Sequence, residues 1–584
     1  MHELDPNSPN AAPFNLSNLK LTVMLALVVM VLAAFANSVS GSFVWDDSPQ
    51  IADNPTRAGL HVEDVKRAFT QDFWSNIEPD RARGRLDSIY YRPVFLIALM
   101  IGRQIAGAGP SSARTWHLIV IGLHCLNALL VFTAARKIFE LTTRHSERST
   151  ILMAGLAVAI FAVHPLQSES VAWISGVVGP LSTAFMIGSF DCYLVYRERG
   201  RIGWLAGALA LFLVGAFTKE QTLVLPLIVL GCELFVFRSK EGPAVSAAGK
   251  RMFVGTVAVA VVYLAARYGA LGLLLGRNRN LNFPDDAHLG LSNVLQTMPA
   301  LLAKYCLLLI YPVDLSLMYP FGYVRQLGLT SFWIPLAAMS VVAVLLLWGA
   351  GKSKAVAAAA LWLILPLAPH LNTTAFVSEE IVHDRYLYGS LIGAGMLVAL
   401  GLWAIKPPAL RIAFTASLIV LLSILTIRQN AQWQSNETLW VRAAQRAPGS
   451  RLAHLALGSL AENKRDPATA LNEYEIALSI NSDSVEALTN SALLCGRSGN
   501  WGESRRRFSR VAALTPDNPV AHFNLAFADA VLRRYSEAVD EQQKALELDP
   551  NGPRSEEWRE RLAQLKKARD DAATKDASQK PALE

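Results

Sequence analysis

Residues 21–35 read LTVMLALVVMVLAAF, fifteen positions with one hydroxyl and no charge. In water such a run would need cover on every side. In a bilayer it needs none, and with its flanks it suits a helix crossing a hydrocarbon core of roughly 30 Å. Runs of this kind recur from residue 19 to residue 427, beginning near Leu19, Arg92, Thr115, Ile151, Val171, Ile202, Gln221, Met252, Ser292, Ser331, Ala355, Tyr386 and Ala409. Composition agrees with them: 52% of the 584 residues are apolar and 17% charged, against roughly a quarter charged in soluble globular chains. Mean hydropathy is +0.30. The expected fold is all-α, a polytopic membrane helical bundle over 19–429.

The net charge of +7 does not point to nucleic acid, because the basic residues sit in short clusters between apolar runs, where they act as topology signals. If all thirteen segments crossed with the N-terminus inside, the basic loops 136–148, 197–201 and 238–251 would lie outside. If 92–107 and 292–311, which carry Arg103 and Lys304, stay in the interface or re-enter, every basic loop falls inside. About eleven spans follow, with a cytoplasmic tail over 1–18, a retained first span and an exported C-terminal region. The five cysteines show no CxxC or Cys/His spacing, so neither a metal site nor a disulfide framework is expected.

This topology places loops 41–91, 164–170, 218–220, 276–290 and 370–385 together on the exported side. Carboxylates, histidines and aromatics from five loops then share one face, a candidate active site. Plain solvated loops are the alternative reading of each.

From residue 450 a period of 34 appears in Ala453, Ala487 and Ala521, in Gly458, Ala492 and Ala526, and in Ala470, Ser504 and Ala538. Small residues at that spacing mark the close approach of paired helices in tetratricopeptide repeats. Three repeats over 450–552 are expected, after a linker at 430–449 and before a capping helix and tail at 553–584. Such a solenoid offers a concave groove for a peptide, or serves as a passive cap.

The first exported loop opens with Trp45-Asp46-Asp47-Ser48-Pro49. Adjacent carboxylates at a membrane surface repel, which favours a proton on one of them and tunes it towards general-base work. Asp-Asp-Ser-Pro is also good turn chemistry. Further along come Asp72-Phe73-Trp74, Tyr90-Tyr91-Arg92-Pro93, Trp116-His117 with His124, His164-Pro165-Leu166-Gln167-Ser168-Glu169-Ser170-Val171-Ala172, Thr218-Lys219-Glu220-Gln221 and Arg385-Tyr386-Leu387-Tyr388. In this order, with repeats behind them, the motifs resemble the transmembrane-and-tetratricopeptide-repeat O-mannosyltransferases of the GT-C class of polyprenyl-phosphate-sugar transferases. The chain departs from that pattern where Gly176-Val177-Val178-Gly179-Pro180 replaces Gly-Arg-Ala-Asp, where Gly389-Ser390 follows Tyr388, and in having three repeats. The resemblance therefore implies a distant, bacterial member in the inner membrane, with the repeats periplasmic.

The resemblance implies an inverting displacement in which an acceptor hydroxyl attacks the anomeric carbon and the lipid phosphate leaves. Either Asp46 or Asp47 would be the base, and Glu169 the second carboxylate, unless Glu169 only caps the following span. Arg385, then Arg92 and Lys219, would hold the phosphate, with Arg267 as a further cation inside an apolar run. Lys219 and Glu220 also suit a plain interfacial ion pair, and His164 an interface residue; His164, Glu220 and Tyr388 complete the candidates. No cofactor is expected beyond the lipid-linked sugar donor, with a divalent metal left open. The implied partners are that donor, an exported protein or glycan acceptor held by the repeats, and membrane lipids. Two other readings stay open: a scaffold whose repeats recruit envelope proteins, and a flippase or polymerase of lipid-linked sugars.

Overall fold

The computed structural model describes residues 16–53, 60–75, 90–238, 243–274, 290–373, 376 and 378–579. All regular structure among them is helical. They form two compact units, one ending at Leu439 and the other beginning at Trp440. The expected tail over 1–18 and the loop 276–290 lie almost entirely outside the described residues. The boundary falls inside the expected linker, which is itself helical over Asn436–Arg446.

In the first unit, eight described helices are long and apolar enough to cross a membrane, from Leu16–Ser40 to Pro408–Trp433. The expected eleven spans exceed that number for a geometric reason. Glu147–Val163, Ile202–Thr218 and Ser390–Trp403 have 17, 17 and 14 residues, a rise of only about 21–26 Å, while Leu291–Ile310, outside the expected eleven, is one of the eight. The stretch from Glu220 to Val236 is broken into 3-10, α and π turns. The chain is a multi-pass membrane protein in which each helix satisfies its own backbone, as lipid requires.

The two segments expected not to cross show where they lie through their contacts. Pro93–Ala106 starts beside Arg92 and ends where Gly107 O accepts the Trp116 indole N–H at 3.0 Å. Trp116 is in the first turns of Ala113–Thr142, close to His117, which packs against Gly41 just past the first helix. Both ends of Pro93–Ala106 therefore sit at the first-loop end of the bundle. Leu291–Ile310 is long enough to cross by composition. Its Thr297 accepts Val324 N–H at 2.9 Å and its Tyr305 donates to Ile381 O at 3.1 Å.

Two features bring the site together. The helix Glu147–Val163 stops at His164, because Pro165 lacks the N–H that would continue it, and Pro165–Val171 leaves at 54°. This bend carries Glu169 across the end of the bundle. Ser390–Trp403 approaches its neighbours so closely that a Cβ on Gly393 would stand 2.2 Å from Ala359 O, and one on Gly395 2.3 Å from Ala157 O. Contact at backbone distance on two sides fixes the segment just before it, 383–388, against Pro165–Val171.

The second unit consists of the helix pairs Arg451–Asn463 with Pro467–Ile480, Val485–Arg497 with Trp501–Leu514, and Pro519–Val531 with Tyr535–Leu548, followed by Ser555–Gln579. Side-chain caps at Ser450, Asp466, Ser484, Asn500 and Asn518 start five of these helices. The small residue of the 34-residue period has a direct cause: a Cβ on Gly458 would lie 2.4 Å from the Tyr474 ring. Ala492 and Ala526 occupy the corresponding place, fully buried. The pairs form a tetratricopeptide-repeat solenoid, with Ser555–Gln579 after them.

Candidate active site

The first helix ends in a 3-10 turn at Ala36–Ser40, and the chain then folds into a tight turn at Val44-Trp45-Asp46-Asp47. Asp47 Oδ2 accepts the N–H of Val44 at 3.0 Å and Oδ1 that of Ser175 at 2.7 Å. The carboxyl has no exposure to solvent. Burial pushes its pKa up to about 7, although the Ser175 hydroxyl, these N–H groups and the Trp173 indole oppose the shift. Geometry thus separates the two aspartates that the sequence left equal. Asp47 faces inward and ties the first loop to 173–175, whereas Asp46 is half-buried.

The Trp45 indole stacks on Trp173 with centroids 4.8 Å apart, and Trp173 stacks on Trp433 at 5.8 Å. The His383 ring lies 6.5 Å from that of Trp45. This column joins the first loop to Glu169, four residues before Trp173, and to 383–386. Glu169 Oε2 accepts the Arg385 backbone N–H at 2.9 Å. Its Oε1 pairs with Arg385 Nη1 and lies 3.1 Å from His383 Nδ1. The Arg385 guanidinium sits 5.3 Å from the ring centroids of Trp173 and Tyr386 and 5.6 Å from that of Trp45, contacts that favour a cation. Its Nη1 is engaged; Nε and Nη2 make no hydrogen bond among the described residues, and the side chain is 18% exposed.

Beside this pair stands another. Arg92 binds Glu220 bidentately, through Nη2 at 2.6 Å and Nε at 3.2 Å, and lies 4.4 Å above the Tyr90 ring. Lys219 is buried, and among the described residues its ammonium makes no ion pair or hydrogen bond. Burial, then the charge of Arg92, pulls its pKa down to about 7, and Arg385 and Glu169 are within electrostatic reach. Three cations and two carboxylates therefore share one neighbourhood, an arrangement able to take up an anion and orient a hydroxyl. Among the described residues, no group of three or more His, Cys, Asp or Glu side chains is arranged to hold a metal.

Other candidates from the sequence serve the frame. His164 accepts Leu166 N–H through Nδ1 at 3.3 Å and meets Leu309 O through Nε2 at 3.2 Å, so it caps the bend. The Tyr388 hydroxyl joins His124 Nδ1 at 2.7 Å and Asn127 Nδ2 at 3.0 Å in the core. Arg267 donates to Leu274 O at 3.1 Å and to the Tyr263 hydroxyl at 3.4 Å; Tyr263 packs on Tyr91 and Phe217, one layer behind Arg92 and Lys219.

Sequence reasoning missed His383, Asp384 and Trp173. Asp384 is buried, accepts the Tyr319 hydroxyl at 2.6 Å and is held well above the usual carboxylate range by burial and then by Glu169. Its neighbour Arg385 was singled out, and two ionisable residues before that arginine were the available signal.

The fold and site define a multi-pass helical membrane protein with a buried, ion-paired polar centre at one end of its bundle and, later in the chain, a tetratricopeptide-repeat unit. No family model matches the chain. It is similar to the human protein O-mannosyl-transferase TMTC3, 24% identical over 536 residues that cover 86% of this chain and 56% of that protein. It is also similar to human TMTC1, 24% identical over 506 residues that cover 79% and 55%. The resemblance carried by the motifs thus extends over most of the chain, which spans about half the length of these curated relatives. Among solved structures, an Archaeoglobus fulgidus oligosaccharyltransferase tethered to an acceptor peptide aligns at 14% identity and a TM-score of 0.38, covering 79% of this chain and 59% of that one.

Proposed function

We propose that this chain is a membrane glycosyltransferase that moves a sugar, mannose or another hexose or pentose, from a polyprenyl-phosphate carrier to a hydroxyl on an exported protein. The observation that carries this reading is the stacking of the Asp46–Asp47 turn, through Trp45 and Trp173, onto the Glu169–Arg385 pair, with Lys219 and Arg92 close by. Asp46, the less buried aspartate, takes the proton of the acceptor hydroxyl. The hydroxyl oxygen then bonds to the anomeric carbon from the face opposite the phosphate, and the carbon–oxygen bond to the phosphate breaks. The departing phosphate keeps the electron pair and needs no protonation, so one carboxylate base suffices. Its negative charge falls to the Nε and Nη2 edge of Arg385 and to the Lys219 ammonium. Glu169 holds Arg385 and His383 in place rather than reacting.

The test is transfer from mannosyl polyprenyl phosphate to a Ser/Thr-rich peptide by the purified full chain in liposomes. Asp46→Asn is expected to lose about 10²–10⁴-fold in kcat, the usual contribution of a general base. Wild-type turnover in Asp46→Asn would remove Asp46 as the base.

A further inference from the structure

Trp45 has a left-handed backbone, φ +51°. There the Cβ of an L-residue crowds neighbouring carbonyl oxygen, and a large side chain stays only where its surroundings over-determine it. The peptide joining Val44 to Trp45 is held at both ends. Its carbonyl accepts the Asp47 N–H at 3.0 Å, and its N–H is donated to Oδ1 of Asn436 at 2.8 Å. The orientation of this peptide plane sets φ of Trp45. Support continues along the same strip of chain: Ser42 gives both its N–H and its hydroxyl to Gln434 O, each at 2.9 Å. The residue that follows Trp45 is Asp46, so the direction in which the chain leaves Trp45 decides where that carboxylate points.

The geometry points to Asn436 as a positioning residue for the site: its side-chain oxygen locks Trp45 in the left-handed conformation and so aims Asp46. The aiming half of this inference rests on the proposed role of Asp46; the locking half does not. Without the acceptor, the Val44–Trp45 peptide keeps the Asp47 N–H on its carbonyl but loses the hold on its N–H, so its plane tilts and Trp45 relaxes, which unstacks it from Trp173. The frame around Asp47 stays closed, since the Val44 and Ser175 N–H groups still bind that carboxylate.

The test uses the full chain in detergent. The Trp45 signal is isolated as the near-UV circular dichroism difference between wild type and Trp45→Phe, because a stacked indole pair gives a signal that a rotated one does not. Asn436→Ala should lose most of that signal while its apparent melting temperature stays within about 3 °C of wild type. In the mannosyl transfer assay its kcat should fall about tenfold with KM unchanged. Asn436→Asp, which keeps an acceptor oxygen, should restore both, and in an Asp46→Asn background Asn436→Ala should add no further loss. An unchanged Trp45 signal in Asn436→Ala, a loss matched by global melting, or failure of Asn436→Asp to restore it would overturn the inference. If wild type transfers no sugar, or Asp46→Asn is fully active, the functional reading fails, and the Trp45 signal still decides whether Asn436 locks the turn.

Discussion

Replacing Asp47 separates an anchoring carboxylate from a reacting one, and the structure sets both sign and size. Its folded-state pKa is raised to about 7 from an ordinary 3.8. As pH rises through 4 the unfolded chain gives up this proton first, while the folded chain keeps it until about 7. Wild type therefore loses stability across that window and levels off above it. A shift of about three units sets an upper bound of about 4 kcal/mol at pH 8. Asp47→Asn removes the charge but turns an NH2 onto one of the two N–H donors, a cost that does not vary with pH, so its stability relative to wild type should rise from pH 5 to pH 8 by about 1–3 kcal/mol once relaxation of the site is allowed for. Asp47→Ala instead leaves the buried N–H groups of Val44 and Ser175 unpaired. At about 1–3 kcal/mol for each, it should be destabilised at every pH. Thermal unfolding in detergent, followed by tryptophan fluorescence at pH 5 and pH 8, reads both variants. An Asp47→Asn effect that is the same at both pH values, or an Asp47→Ala variant as stable as wild type, would show that Asp47 is not the buried anchor described.

Three further outcomes follow from other contacts. Glu169→Leu strands Arg385 in a nearly closed site and should cost about 3–5 kcal/mol, with much of it recovered in Glu169→Leu/Arg385→Met, as judged by melting in detergent. With Lys219 titrating near 7, binding of a short prenyl phosphodiester, which has no titration in that range, should weaken from pH 6 to pH 8; isothermal titration should find that slope absent in Lys219→Met. Gly458→Val drives a side chain into the Tyr474 ring and should cost about 1–3 kcal/mol by overpacking. Limited proteolysis should then release fragments from the repeats before any from the bundle.

How much of this was legible in the sequence follows from the range of the interactions involved. The repeats were readable because their cause is local: Gly458 and Tyr474 are sixteen residues apart and the pattern recurs at a fixed period. The apolar runs were readable too, but not which of them are long enough to cross; the interruption at Glu220–Val236 leaves no mark in composition. In the site, Asp46, Glu169, Arg385, Arg92 and Lys219 were found one by one, because each is a charged residue placed at the end of an apolar run. Their pairing was not legible. Lys219-Glu220 reads as a neighbouring ion pair, yet Glu220 binds Arg92, 128 positions away, and Lys219 is left over. Tyr388 belonged to a good motif, and only packing shows that its hydroxyl serves a core hydrogen-bond network with His124 and Asn127. Burial alone distinguished Asp46 from Asp47, and burial is a property of the assembled helices.

The clamp on Arg385 carries a thermodynamic consequence. A long flexible cation that must be frozen by its ligand costs about 0.5–1.5 kcal/mol of binding. Here Glu169, His383 and the surrounding indoles have already frozen it when the protein folds. An anion diffusing in the plane of the bilayer would meet a receptor with nothing left to organise, so even a scarce lipid could fill it.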